Sequence, residues 1–196
     1  MTKVNISDII KKSVDCYDGF FKMKCHTIQY QQFDGSMSKI HQREVFVRDP
    51  TVAVLLYDEN QNSVLLTEQF RVGPLENQAN PWVFELPAGI VEQGEDKIVA
   101  MQREILEETG YDCKIESLIG EFYLSPGGSN EVTTIYFAQV ALDKSGVHGV
   151  ESENEDIKTH IVTLDKAGEM IQQGKLSVTT GLALMWLQAR ALSSNK

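Results

Sequence analysis

The stretch Gly89-Ile-Val-Glu-Gln-Gly-Glu-Asp-Lys-Ile-Val-Ala-Met-Gln-Arg-Glu-Ile-Leu-Glu-Glu-Thr-Gly-Tyr111 decides how this chain is read. Within it a helix is expected from about Glu95 to Thr109, ended by Gly110, a natural residue for the left-handed turn after a helix. Ile98, Met101 and Ile105 share one face, which is expected to dock on a sheet. Glu104, Glu107 and Glu108 stand at i, i+3 and i+4, so their carboxylates leave the helix on one side. Ala100, a turn earlier on that side, is small enough to leave room for a ligand.

An acidic helix face is ordinarily just solvated. Here the acids crowd the last turn, where the negative end of the helix disfavours anions by about 0.3–1 kcal/mol each. Like charges at i, i+4 add a few tenths of a kcal/mol more. A bound divalent cation reverses the sign of all these terms. Oxygen donors without Cys or His suit magnesium or manganese rather than zinc.

Outward from this stretch, polar and apolar residues alternate from about Tyr17 to Val47 around a turn at Phe33-Asp34-Gly35-Ser36, predicting antiparallel strands. Strands are expected at Val52–Tyr57, Val64–Phe70, Trp82–Leu86, Leu118–Leu124, Val132–Ala141 and Ile157–Leu164, with Gly73–Pro81 a loop. Asp143 to Asp156 reads as a long acidic loop, of a length that often carries function. Two helices follow, near Lys166–Gln173 and Val178–Leu192; Leu182, Met185, Trp186 and Ala189 mark the expected buried face of the second. The fold class expected is α+β with a mixed-sheet sandwich, divided into an N-terminal antiparallel sheet over 1–48 and a main domain over 49–196.

The chain has 196 residues, enough for a sizeable core, and 18 basic against 28 acidic side chains give a formal charge of −10. A surface that negative repels nucleic acid and anionic lipid, so neither is an expected partner. An anionic small substrate then needs a cation or a few placed arginines. Three cysteines without metal-ligand spacing read as reduced thiols. The opening residues lack a secretory pattern, and Val52–Tyr57 is too short to cross a bilayer, which predicts a soluble cytoplasmic protein.

Gly89, five residues, Glu95, seven residues, Arg103-Glu104, an aliphatic residue, any residue, Glu107-Glu108, any residue, Gly110, then apolar Tyr111: this matches the Nudix box at every defined position. At average residue usage a chance match is on the order of 10⁻⁷. The chain therefore resembles the Nudix hydrolases, which cleave nucleoside diphosphates linked to another moiety. The resemblance implies an α/β/α sandwich with a mixed sheet, and magnesium, with manganese as a possible substitute. Glu104 and Glu108 match the principal metal ligands, with Glu107 beside them. Ala88 matches a backbone-carbonyl ligand, and Arg103 a partner that orients the carboxylates.

From roughly Asp15 to Leu192 the chain is similar to the bacterial ADP-ribose pyrophosphatases. Pro126 lies sixteen positions beyond Gly110, as in that subgroup, within Ser125-Pro126-Gly127-Gly128-Ser129-Asn130-Glu131. By this resemblance Ser125, Pro126, Gly127 and Glu131 contact ribose and phosphate, although alone the segment is only a turn. Arg43, Glu44, Arg48 and Arg71 match positions that recognise adenine and diphosphate; arginine suits planar, bidentate contact with phosphate. Phe20 and Phe21 resemble a segment reaching into the partner's site of a swapped homodimer, with plain core residues as the alternative. In the acidic loop Glu153 matches the general base and Glu155 a further metal ligand, and the two could exchange roles. The implied reaction is hydrolysis of ADP-ribose to AMP and ribose 5-phosphate. The alternatives are another nucleotide sugar such as GDP-mannose, or a non-catalytic ADP-ribose sensor.

Overall fold

A strand that is apolar on both faces needs cover on both sides. Such a strand is Thr51–Asp58, in which Val52 to Leu56 are all fully buried. The structure, a computed structural model, describes residues 6–174 and 176–194. In chain order its elements begin with α1 (Ile6–Ile9), β1 (Ile10–Asp18), β2 (Lys22–Ile28), β3 (His41–Val47), β4 (Thr51–Asp58) and β5 (Ser63–Phe70). Next come β6 (Trp82–Glu85), β7 (Ala88–Ile90), α2 (Lys97–Thr109), β8 (Ser117–Tyr123) and β9 (Val132–Gln139). The last are β10 (Val147–His148), β11 (Ile157–Thr163), α3 (Leu164–Gln173) and α4 (Val178–Ser194).

The described chain falls into two units, one formed by residues through Asp49 with Tyr123–Glu131, the other by Pro50–Phe122 and Val132 onward. In the first, β1, β2 and β3 make a three-stranded sheet, antiparallel throughout. Phe46 N–H donates to the Gly128 carbonyl at 2.8 Å, tying the 125–128 turn to β3. Ser38 is the only buried residue of this unit among those described.

The second unit holds a mixed sheet ordered β10-β11-β5-β4-β9-β8, with β6 on β5 and β7 on β4. Strand β4 runs parallel to β9, from Thr51 beside Thr133 to Tyr57 beside Gln139, and antiparallel to β5. Alternate residues of β4 serve opposite layers. Val52, Val54 and Leu56 pack with Ala100, Met101 and Ile105 of α2. Ala53 and Leu55 pack with Met170 of α3 and Ala183, Leu184 and Leu187 of α4. That is the expected α/β/α sandwich in an α+β fold.

Several local expectations are corrected. Helix α2 starts at Lys97 rather than Glu95, because Asp96 caps it by accepting the N–H groups of Ile98 at 2.8 Å and Val99 at 3.4 Å. Ile98, in the open first turn, is 45% exposed, while Ala100 lies wholly inside the core and leaves no ligand space. In α4 the buried face is Ala183, Leu184 and Leu187, and Met185 is exposed. The helix is apolar nearly all round, and its rotation is set by Thr180, whose buried hydroxyl accepts the Leu86 N–H at 2.9 Å. Strand β1 begins at Ile10, ahead of the alternation read from Tyr17, and the acidic loop contains β10 and a 3-10 turn at Glu151–Glu153.

Candidate functional site

Strand β7 is three residues long, and each residue serves α2. The Ala88 N–H donates to Glu108 Oε2 at 2.9 Å. Gly89 lies under Glu104: a β-carbon at Gly89 would stand 1.8 Å from Glu104 Oε1, an impossible overlap. The Ile90 carbonyl accepts Arg103 Nη2 at 3.3 Å. Pairing of Ala88, Gly89 and Ile90 with Ala53, Val52 and Thr51 pins this strand to the core.

Arg103 joins loop and helix. Its Nε and Nη2 each donate to Glu95, both at 3.2 Å, while Nη1 donates to Glu104 at 2.7 Å and Glu107 at 3.2 Å. The bond from Arg103 holds the Glu95 carboxyl below the usual range, and Glu95 in turn keeps the guanidinium charged. Burial pushes the Glu104 carboxyl up, against the pull of Arg103. Glu108, only 4% exposed, is pushed well up by burial; the fields of Glu104 and Glu155 add to this, and the Ala88 N–H and Arg71 oppose it. Glu104, Glu108 and Glu155 thus lie within one another's electric field.

Carboxylates gathered out of water, with oxygen as the only donor atom, suit a hard divalent cation, which would relieve both their desolvation and their mutual repulsion. Among the described residues no three such groups are closed up to ligating distance of one point. Glu104 is turned to Arg103 and Glu108 to the Ala88 N–H. Glu155 sits at the end of the loop, its Oε2 accepting the Val150 N–H at 3.2 Å. Glu153 ends the 3-10 turn, and its side chain lies outside the described residues. Arg71 donates from Nε to Glu85 at 2.9 Å.

In the first unit, the Arg48 guanidinium lies 4.6 Å from the Phe21 ring centre, 5.7 Å from that of Phe46, and 3.6 Å from Glu131. Phe20 packs edge-on to Phe21 but is 89% exposed, which removes the plain-core alternative for it. Arg43 and Glu44 stand exposed on β3, and Ser125, Pro126 and Gly127 form an exposed turn closed by Gly128 N–H to the Ser125 carbonyl at 3.1 Å. Two residues go unread in the sequence. Asn130 holds Arg48 through both its backbone groups, at 2.7 and 3.1 Å, and Phe46 stacks beside it. Asn130 lies in the turn segment already singled out; Phe46 carries no signal beyond being apolar.

The NUDIX domain model matches residues 47–180. The chain is 35% identical over 174 residues to the ADP-ribose pyrophosphatase of Escherichia coli (strain K12), a match covering 88% of this chain and 83% of that protein. It is 32% identical over 178 residues to the GDP-mannose pyrophosphatase of Cronobacter sakazakii, covering 89% and 92%. A crystal structure of an ADP compounds hydrolase is similar in fold, with a TM-score of 0.70 at 15% identity over 95% of this chain and 94% of that one.

Proposed function

Because the chain belongs to the NUDIX family and is a hydrolase of the kind that works with divalent metal ions, we propose that it splits ADP-ribose with water into AMP and ribose 5-phosphate. The observation that carries the reading is the buried Glu108, held on the Ala88 N–H one turn along α2 from Glu104, whose carboxylate is held by Arg103. The carboxylates of Glu104, Glu108 and Glu155 and the Ala88 carbonyl would hold the cation, with Arg103 keeping Glu104 in line. Magnesium, or manganese in its place, supplies positive charge to the diphosphate oxygens and acidifies water when bound.

Glu153 takes the proton of the water that attacks the adenosyl-side phosphorus, and ribose 5-phosphate departs. Arg71 is assigned to the diphosphate. Phe20, Phe21, Arg43, Glu44, Arg48, Ser125, Pro126, Gly127 and Glu131 are proposed substrate contacts, each carried over from the subgroup's pattern. The approach of the Arg48 guanidinium to 4.6 Å from the Phe21 ring centre supports its share, since a guanidinium held in place is preorganised for phosphate or base. We further assign a homodimer, supported by an N-terminal sheet with almost no core of its own, and a cytoplasmic site of action. Among the described residues no helix is long and apolar enough to cross a membrane.

The GDP-mannose pyrophosphatase relative makes that nucleotide sugar the second reading. Initial rates on both substrates with magnesium separate the two. ADP-ribose is expected to give the larger kcat/KM, because polar groups placed for one base are left unpaired around another. Excess EDTA is expected to abolish turnover until metal is restored. Equal or reversed rates would transfer the chain to the second reading, and hydrolysis surviving in EDTA would remove the metal.

A further inference from the structure

Tyr111 ends the box at a position where the pattern asks only for an apolar side chain, yet its hydroxyl makes bonds no apolar residue could make. The ring is buried in the core beside Met101 and Ile105. Its oxygen accepts the backbone N–H of Asp143 at 2.9 Å and of Lys144 at 2.8 Å, and donates to the Lys144 carbonyl at 2.8 Å. One proton and two lone pairs are thereby all in use. Lys144 reciprocates. Its Nζ donates to the Gly110 carbonyl at 2.9 Å, at the C-terminal end of α2, where a cation is favoured. It also lies 5.0 Å from the Tyr111 ring centre. The His148 ring closes on the same spot: a β-carbon on Gly110 would stand 3.2 Å from its Cε1.

From this anchor the chain leads to Glu155 through clamped residues. Gly146 N–H donates to Thr159 Oγ1 at 2.8 Å, and Thr159 N–H returns to the Gly146 carbonyl at 2.9 Å. Strand β10 then pairs with β11, and Val150 N–H meets the Glu155 carboxylate. The loop departs from the end of the helix that carries Glu104 and Glu108 and is clamped on its way to strand β11.

We propose that the Tyr111 hydroxyl and the Lys144 ammonium are positioning residues: they fasten the root of the 143–156 loop to the end of α2, and so set where Glu155 stands relative to Glu104 and Glu108. This rests on the reading of Glu155 as a metal ligand. Asp143 and Lys144 are exposed, so backbone groups freed by losing the hydroxyl find water, and the loss falls on loop placement rather than on the fold.

The test uses the whole enzyme with Tyr111→Phe and with Lys144→Met, the latter at an exposed position that folding does not depend on. Two quantities are read: amide hydrogen exchange across 143–149, and the magnesium dependence of ADP-ribose hydrolysis with its KM. Both variants are expected to exchange faster there and to need about 10-fold more magnesium for half-maximal rate, the scale of a lost supporting contact, with KM for ADP-ribose unchanged. Lys144→Arg, which keeps the charge, is expected to restore the magnesium curve. A magnesium curve superimposable on wild type in both variants overturns the proposal, even if Tm falls, since a merely structural role lowers Tm alone. Unchanged exchange at 143–149 overturns it as well, independently of any substrate. Wild-type enzyme inert toward ADP-ribose would instead overturn the proposed function, and exchange would still decide the anchor.

Discussion

At Gly89 a missing methyl group decides whether Glu104 can lie where it does. The atoms a β-carbon would strike all belong to the Glu104 side chain, which can swing away, rather than to the backbone. Gly89→Ala is therefore expected to fold almost as stably as wild type while the carboxylate is displaced. The half-saturating magnesium concentration should rise about 10–100-fold, with Tm nearly constant. Titrating magnesium against initial rate, beside a thermal melt, checks both halves; an alanine variant with the wild-type magnesium response would show that Glu104 is not held by this contact for metal. The glycine was legible as a fixed position in a spaced pattern. Why it must be glycine was not, because the obstacle lies 15 positions away on the helix and enters only through the close approach of β7 to α2.

Helix α2 owes its start to one side chain. Asp96 satisfies two of the N–H groups that no helical carbonyl reaches, so Asp96→Ala is expected to cost about 1 kcal/mol and lower Tm by about 2–4 °C. Calorimetry checks this, and a variant melting with wild type would mean the cap is dispensable. The helix and its glutamates could be read from the sequence because 3.6 residues per turn convert spacing into direction. Its first turn could not: Glu95 looked helical, but its carboxylate is taken by Arg103 and the chain turns inward only after Asp96. Strand β7 is absent from the strands expected from the sequence, since Ala-Gly-Ile is too short to alternate. The pairings of Arg71 with Glu85 and of Tyr111 with Asp143 and Lys144 were equally hidden, because each joins segments whose meeting no local pattern encodes.

For the whole molecule, the three-stranded sheet poses the question of partners. Val14, Tyr17, Tyr30, Phe33, Met37 and Ile40 are all exposed on or beside it, an apolar load that a sheet of three strands does not leave in water without cost. Light scattering is expected to return twice the chain mass of 22.0 kDa, and a value of one chain mass at micromolar concentration would remove the homodimer. The parallel pair β4 and β9 has a different consequence, in time rather than in space. Thr51 and Thr133, bonded through their hydroxyls at 2.7 Å, are 82 positions apart, and the acidic helix lies in the chain between them. Parallel neighbours cannot be joined by a hairpin, so the intervening chain must exist before they meet. A ribosome making this protein completes every glutamate of the box before it reaches Val132. At about 5–20 residues per second, the acidic helix waits on the order of seconds for the strand that completes the sheet beneath it. During that interval the nascent chain carries the glutamates of the box on a sheet that still lacks its parallel strand.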